Sequence, residues 1–169
     1  KAAVESKQHP PRSIQASDRD YFLAHRDQPD LGLFIGSPTT GRASGQPIWP
    51  VSRRLSGPDG AFRGTIVAVL DPYYFKDFHA ALDTATGSVM ALHRRDGVLV
   101  SRFPAHTNAA EKSWPGSELF RSSLAPADGG TDRQVSPSDG QRHIVAYRAL
   151  GDYPLVFTTS MLESAALLG

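Results

Sequence analysis

At 169 residues the chain is long enough for one full domain or two small lobes. Its 40% hydrophobic and 21% charged content is ordinary for a globular protein, and a net charge of +1 supplies no electrostatic case for nucleic acid or an anionic membrane surface. The lack of Cys excludes disulfides, thiolate metal sites and Cys nucleophiles.

No stretch approaches the ~20 apolar residues that span a bilayer, and no signal peptide is visible. The chain opens at Lys1 without Met and reads as an excised piece of a longer protein. Of the 18 basic residues 14 are Arg and 4 are Lys. That bias suits planar carboxylate and phosphate recognition, but the base composition of the source genome is the better account of it.

Pro (13) and Gly (15) are frequent, so many turns are expected. Lys1 to Ser6 reads as the tail of a helix, and Gln8 to Ala16, with Pro10 and Pro11, as an extended connector. Ser17 opens a helix in which Ser17 and Asp20 fit a Ser-x-x-acid capping pattern. Leu31 to Ile35 is a short strand ending at Gly36, and Thr39 to Gly45 is a turn-rich loop. Pro47 to Leu55 is a strand in which Pro50 argues for an edge or a bulge. Beyond the Pro58-Asp59-Gly60 turn, Phe62 to Leu70 is a strand. Its apolar, β-branched part from Thr65 to Leu70 predicts a central position buried on both faces.

Asp71 can cap a helix with Pro72 at its first position, followed by Phe75, Phe78 and Leu82 at helical spacing. Ser88 to Arg94 and Val98 to Phe103 form a hairpin around Asp96-Gly97, a pair suited to a type I′ turn. Ala105 to Ser113 is a loop and Ser117 to Leu124 a short helix. Ala125 to Asp139, rich in Gly, Pro, Asp and Ser, reads as a long surface loop. Gln141 to Leu150 and Tyr153 to Met161 make a closing hairpin around Gly151-Asp152, before a helical tail from Leu162 to Leu168. Hairpins dominate and helices flank strand groups, which predicts α+β architecture with antiparallel sheets covered by helices.

The segments Ser17 to Phe22, Leu33 to Pro38, Ser44 to Ile48 and Asp59 to Asp71, in that order and spacing, resemble the membrane-distal lobe of double Cache (PDC) sensors, extracellular relatives of the PAS fold. The hairpins Ser88 to Phe103 and Gln141 to Met161 are similar to the opening and close of the second lobe. The resemblance covers Ser17 to Met161. It implies a distal lobe with linking helix over 1–83 and a membrane-proximal lobe over 84–169. It also implies a periplasmic, extracytoplasmic sensor of a membrane-anchored receptor such as a histidine kinase, diguanylate cyclase or chemoreceptor. Such a distal lobe opens with a long helix and a hairpin, and only 16 residues precede Ser17, so an incomplete distal lobe is expected. Sensors of this kind commonly dimerise through that helix; monomer and homodimer both stay open.

In amino-acid-binding members an Arg and an aromatic residue hold the ligand carboxylate and an Asp after the last strand holds the amine. By motif position the resemblance implies Arg19, Tyr21 and Asp71. A buried carboxylate needs a charge-assisted, ideally bidentate donor, and an ammonium group needs an anion beside it. The pattern departs from the family at Phe22, which replaces a hydroxylated aromatic. It departs again at Gly41 and Arg42, where a family carboxylate is absent. Arg42 and Ser44 would instead favour a small organic acid, with Trp49 as an apolar wall. Each residue has a plainer role available: Arg19 in a surface ion pair, Phe22 and Trp49 in the core, Asp71 as a helix cap. Arg53 and Arg54, adjacent on a strand, point to opposite faces and cannot form one clamp.

The sequence holds no Gly-x-Ser-x-Gly, P-loop, His-Glu-x-x-His or dinucleotide-binding glycine pattern, and its six His residues are scattered. No enzyme activity, metal or cofactor is expected, and no nucleic-acid partner. The expected partner is a small molecule, a carboxylate or an amino acid. The competing reading is a protein-interaction or dimerisation module with no small ligand; a hydrolase built from a Ser, His and Asp assembled in space is a third.

Overall fold

The computed structural model describes residues 5–7, 9–71, 74, 88–104, 128–136 and 139–167. The chain divides into two compact units, Lys1–Pro72 and Tyr73–Gly169.

The first unit is one helix against a small antiparallel sheet. Helix α1 spans Asp20–Asp27 and is followed by β1 (Leu33–Ile35), β2 (Thr39–Thr40), β3 (Pro47–Ser56) and β4 (Phe62–Leu70). Strand β3 is the spine. It pairs with β1 at Val51 to Arg53, with β2 at Pro47 and Ile48, and with β4 along almost its whole length. The helix starts two residues later than the Ser17 capping pattern predicts. Arg19 is the N-cap residue and makes no side-chain cap bond. Asp20 instead turns its carboxylate to the chain: Oδ1 accepts from its neighbour's amide (Tyr21 N, 2.7 Å) and Oδ2 from Ser37 N (2.9 Å). That second bond fixes the helix start to the segment after β1.

Pro50 lies in the central strand, not at an edge. Its carbonyl accepts from Gly36 N at 2.8 Å, in the gap between the β1 and β2 pairings. In an antiparallel strand N–H and C=O of one residue point the same way, so the missing amide falls where no strand asks for one. Strand β4 corrects a second expectation. It pairs with β3 on one side, and among the described residues no strand lies on the other. Ile66 is 60% exposed, Val69 57% and Leu70 40%. Its apolar composition reads as central and buried on both faces, but among the described residues it is an edge with exposed apolar side chains.

The core of the first unit gathers His25, Ile35, Trp49, Pro50 and Ser52. Phe22 meets Phe62 edge-on with ring centroids 5.2 Å apart, and the Arg54 guanidinium lies 4.8 Å from the Phe62 ring centroid. Arg54 also donates to the His25 carbonyl and, from Nε, to Ser56 Oγ at 3.0 Å. Arg53 is exposed on the other face, as alternation along a strand requires.

The second unit is a five-stranded antiparallel sheet in the order β6-β5-β9-β8-β7. Its strands are β5 (Val89–Arg94), β6 (Leu99–Phe103), β7 (Gly129–Val135), β8 (Arg142–Leu150) and β9 (Leu155–Leu162), followed by the one-turn helix α2 (Glu163–Ala166). Met90, Ala91, Leu92 and His93 are buried in succession, so β5 is covered on both faces. Val145 and Val156, each 1% exposed, form the centre, with Tyr147 packed against them.

The β5–β6 connection is not a type I′ turn. Gly97 has φ +90°, and no non-glycine residue has positive φ among the described residues. Gly97 N donates to Arg94 O and Arg94 N to Val98 O, giving a three-residue loop with glycine at the left-handed position. Seven of the fifteen residues expected as a surface loop from Ala125 to Asp139 are strand β7, paired with β8 from Gly129 to Val135. Its side chains are mostly exposed, so its ladder to β8, not a buried face, makes it a strand. The helices expected at Pro72 to Leu82 and Ser117 to Leu124, and the loop at Ala105 to Ser113, lie outside the described residues apart from Tyr74, which is helical. Among the described residues no helix is long and apolar enough to cross a membrane. The architecture is α+β, with every sheet pairing antiparallel.

Candidate functional site

The start of α1 faces the segment that runs from Gly36 through β2 to the loop before β3. The anchor is Asp20, whose carboxylate holds Ser37 N. Arg19, half-buried at the helix cap, reaches across to β2. Its Nη1 donates to Thr39 Oγ1 and its Nη2 to the Thr40 carbonyl, both at 2.9 Å. Its hydrogen-bond partners are two neutral acceptors, where the plainer alternative to a ligand contact is a surface ion pair.

Arg42 approaches from the loop after β2. It forms a two-bond fork with Asp18, at 2.7 Å to Oδ1 and 2.6 Å to Oδ2, and also donates to the Gln15 carbonyl. This hydrogen-bonded guanidinium holds the Asp18 carboxyl down at about 2. Both partners are open to solvent, at 40% and 60% exposure, so the pair is a surface clasp and not a buried one. Arg12 closes the same loop from the connector, donating to the Ala43 carbonyl at 2.8 Å while paired with Glu5.

Tyr21 lies within reach of the charges of both arginines. Its half-burial pushes the phenol pKa up, and the positive charges of Arg19 and Arg42 pull the other way. Ser44 is exposed in the loop, where its hydroxyl accepts from Gln46 N at 3.2 Å. Arg19, Tyr21 and Arg42 thus belong to one neighbourhood, and Ser44 lies in the same loop as Arg42. Trp49 is 2% exposed and lies in the core of the unit, paired across β3–β4 with Leu70. Asp71, exposed, follows Leu70 at that end of the sheet. Thr39 pairs with Ile48 on the opposite side of β3. Asp71 and Thr39 are therefore two strand spacings apart, on the order of 10 Å.

Asp18, Asp20, Thr39 and Thr40, which hold these arginines and the helix start in place, were not singled out by sequence. Asp20 appears there only as half of a capping pattern. The other carboxylate and the two threonines become visible only when the chain returns along β2. A further buried pair, His25 Nε2 to Ser52 Oγ at 3.0 Å, ties α1 to β3, and His25 is fully buried with its Nδ1 unbonded. Among the described residues no group of three or more His, Asp or Glu could hold a metal ion.

A family model described as a histidine kinase sensor domain, dCache_1_like, matches residues 72–160. The extracellular domain of rpHK1S-Z16, named as a histidine kinase, is 34% identical over 95% of this chain and 66% of its own, with a TM-score of 0.75. The periplasmic sensory domain of the Campylobacter jejuni chemoreceptor Tlp1 is 15% identical, with 89% and 57% of the two chains covered and a TM-score of 0.62. The ligand-binding domain of the Pseudomonas aeruginosa amino acid chemoreceptor PctB, solved with L-Arg, is 13% identical, with 92% and 64% covered and a TM-score of 0.60. The last two share the fold. The chain spans less than two thirds of the length of all three, and no curated protein matches it. With the family match extending over more than half of the residues, the chain belongs to the double Cache family of histidine kinase sensor domains.

Proposed function

We propose that the chain is the periplasmic, ligand-sensing part of a membrane-anchored signalling receptor, with a histidine kinase as its output. Its ligand is a small carboxylate, an organic acid or an amino acid, held at the start of α1. The observation that carries this reading is the Arg42 fork. A carboxylate, that of Asp18, already sits bidentate in it, 2.7 and 2.6 Å away, beside Arg19 and Tyr21. The fork therefore has the geometry a ligand carboxylate needs. Binding would exchange an internal carboxylate for an external one and release the connector holding Asp18, a local change that would bias the packing of neighbouring elements. Tyr21 and Ser44 supply hydroxyls, Trp49 an apolar floor, and Asp71 an anion for a ligand ammonium group.

The presence of an amino acid in the related PctB domain supports the ligand class. Calorimetric titration of the 169-residue chain with a panel of amino acids and dicarboxylates tests the reading. At least one should bind, and Arg19→Ala and Arg42→Ala should each weaken it about tenfold or more. Failure of the whole panel to bind, or unchanged affinity in both variants, refutes it. The apolar edge at β4 favours a second reading, in which the unit engages another protein chain.

A further inference from the structure

The connector ahead of α1 lies against the loop that carries Arg42, and arginines tie the two together. Arg12 Nη1 donates to the Ala43 carbonyl at 2.8 Å. Arg42 answers from the loop, donating to the Gln15 carbonyl and forking onto Asp18. Arg12 is steadied from its other side by Glu5, which accepts from its Nε at 3.0 Å. The loop is closed on itself, with Gly41 N donating to Gln46 O at 2.9 Å and Gly45 N to Gly41 O at 2.8 Å. The segment from Arg12 to Asp18 is therefore latched at both ends onto a loop that holds its own shape.

Beyond Asp18 the chain is anchored separately. Arg19 bonds to Thr39 and Thr40, and Asp20 accepts from Ser37 N. The backbone at Arg19 is extended, with φ −77° and ψ 146°, before the helix begins. The segment can swing out about Arg19 while α1 and its side chains stay in place. The latches are weak enough to open: Asp18 and Arg42 are exposed and Arg12 partly so, and ion pairs this open to solvent contribute little each. The tether is what makes the segment compete. A carboxylate joined to its anchor by a few residues meets the Arg42 fork at an effective concentration on the order of millimolar.

We propose that residues 12–18 are an autoinhibitory strap, which keeps the Asp18 carboxylate in the Arg42 fork as a built-in competitor and so sets the concentration at which an external carboxylate is sensed. This rests on the reading of the fork as the ligand site. It adds Arg12, which acts on that site by holding the strap down and not by touching the ligand. The charge of Arg12 and its latch pull in opposite directions. A cation beside an anion site strengthens carboxylate binding, whereas the latch weakens it.

Acetate offers a carboxylate and nothing else. Its titration into the 169-residue chain at constant ionic strength, followed by the NMR signal of the Arg42 side chain, tests the strap. Arg12→Ala should tighten acetate binding about threefold and Asp18→Ala about fivefold or more, the range that opening an exposed ion pair allows. With no acetate present, both variants should speed exchange of the Ile14 amide, bonded to the Arg12 carbonyl at 2.8 Å, about tenfold. The Leu23 amide, bonded to the Arg19 carbonyl at 3.0 Å inside α1, should keep its rate. Weaker acetate binding in Arg12→Ala, or unchanged binding in both variants, overturns the strap and leaves the fork as a ligand site. An Ile14 amide indifferent to both substitutions, or a Leu23 amide that speeds up with it, overturns the strap as well. An Arg42 signal that acetate leaves unmoved in every variant, including Asp18→Ala with its vacated fork, overturns the ligand reading and the strap with it.

Discussion

Acidification should unfold the second unit through His93. The residue lies on β5 between Leu99 of β6 and Val156 of β9 and is 3% exposed. Burial alone pushes its pKa down from 6.5 to about 4. Above pH 6.5 the imidazole is neutral in both folded and unfolded chains and carries no penalty. Between pH 6.5 and about 4 the unfolded chain takes up a proton that the folded site refuses. The stability of the unit therefore falls by about 1.4 kcal/mol per pH unit in that window and levels off below it. Over the interval from 6.5 to about 4 the loss is about 3 kcal/mol, a large share of a small unit's total stability. Urea unfolding followed by the methyl resonances of Val145 and Val156 reads this unit by itself, and is done at a series of pH values from about 7.5 to about 4.5. The His93→Gln variant removes the titrating group, so the difference between its pH slope and that of the wild type isolates His93 from every other ionisable side chain. Parallel slopes in the two proteins would refute the assignment, whatever the absolute stability of the variant.

Val145→Ala should destabilise the same unit by about 2 kcal/mol, from two lost methyl groups and the cavity left beside Val156, measured by the same urea titration. A change below about 0.5 kcal/mol would mean that the pair is not the packed centre of that sheet. The carboxyl of Asp18 should titrate near 2 by carbon NMR, and in Arg42→Ala its midpoint should return toward 3.8. The sign is that of an acid favoured as its anion. The support that the Arg42 fork lends to the fold is complete above pH 3.8 and disappears as the pH falls through about 2. An ordinary midpoint in the wild type would show that the fork is not formed in solution.

Much of the fold could be read from local pattern. Phe62 to Leu70, Val98 to Phe103 and the closing hairpin are built from β-branched and aromatic residues between Gly, Asp and Pro turns. Their observed bounds lie within a residue or two of the expected ones. The Asp96-Gly97 pair located its hairpin but not its turn type, because the ladder closes over three residues and demands positive φ only at Gly97. The segment before Asp139 misled for the opposite reason. Gly129 to Val135 has little β propensity of its own and becomes a strand by bonding to β8. At the candidate site the sequence pointed to Arg19, Tyr21, Arg42, Ser44, Trp49 and Asp71; the fold sets Arg19, Tyr21 and Arg42 side by side, leaves Ser44 in the Arg42 loop, and buries Trp49 in the core. The roles of Asp18 and Thr39 were invisible, since each depends on a residue far along the chain, Arg42 for the first and Arg19 for the second.

By itself the sequence determined the antiparallel α+β class, the strand segments and the charge types available near the start of α1, because these follow from side-chain periodicity, turn chemistry and residue identity. Tertiary structure alone decided that Pro50 sits in a central strand, that apolar side chains of β4 such as Ile66 and Val69 stand exposed, and that Arg42 already grips a carboxylate. Those outcomes depend on which strands lie side by side, and neighbours in a sheet are chosen by contacts between residues far apart in the chain, about which local pattern carries no information.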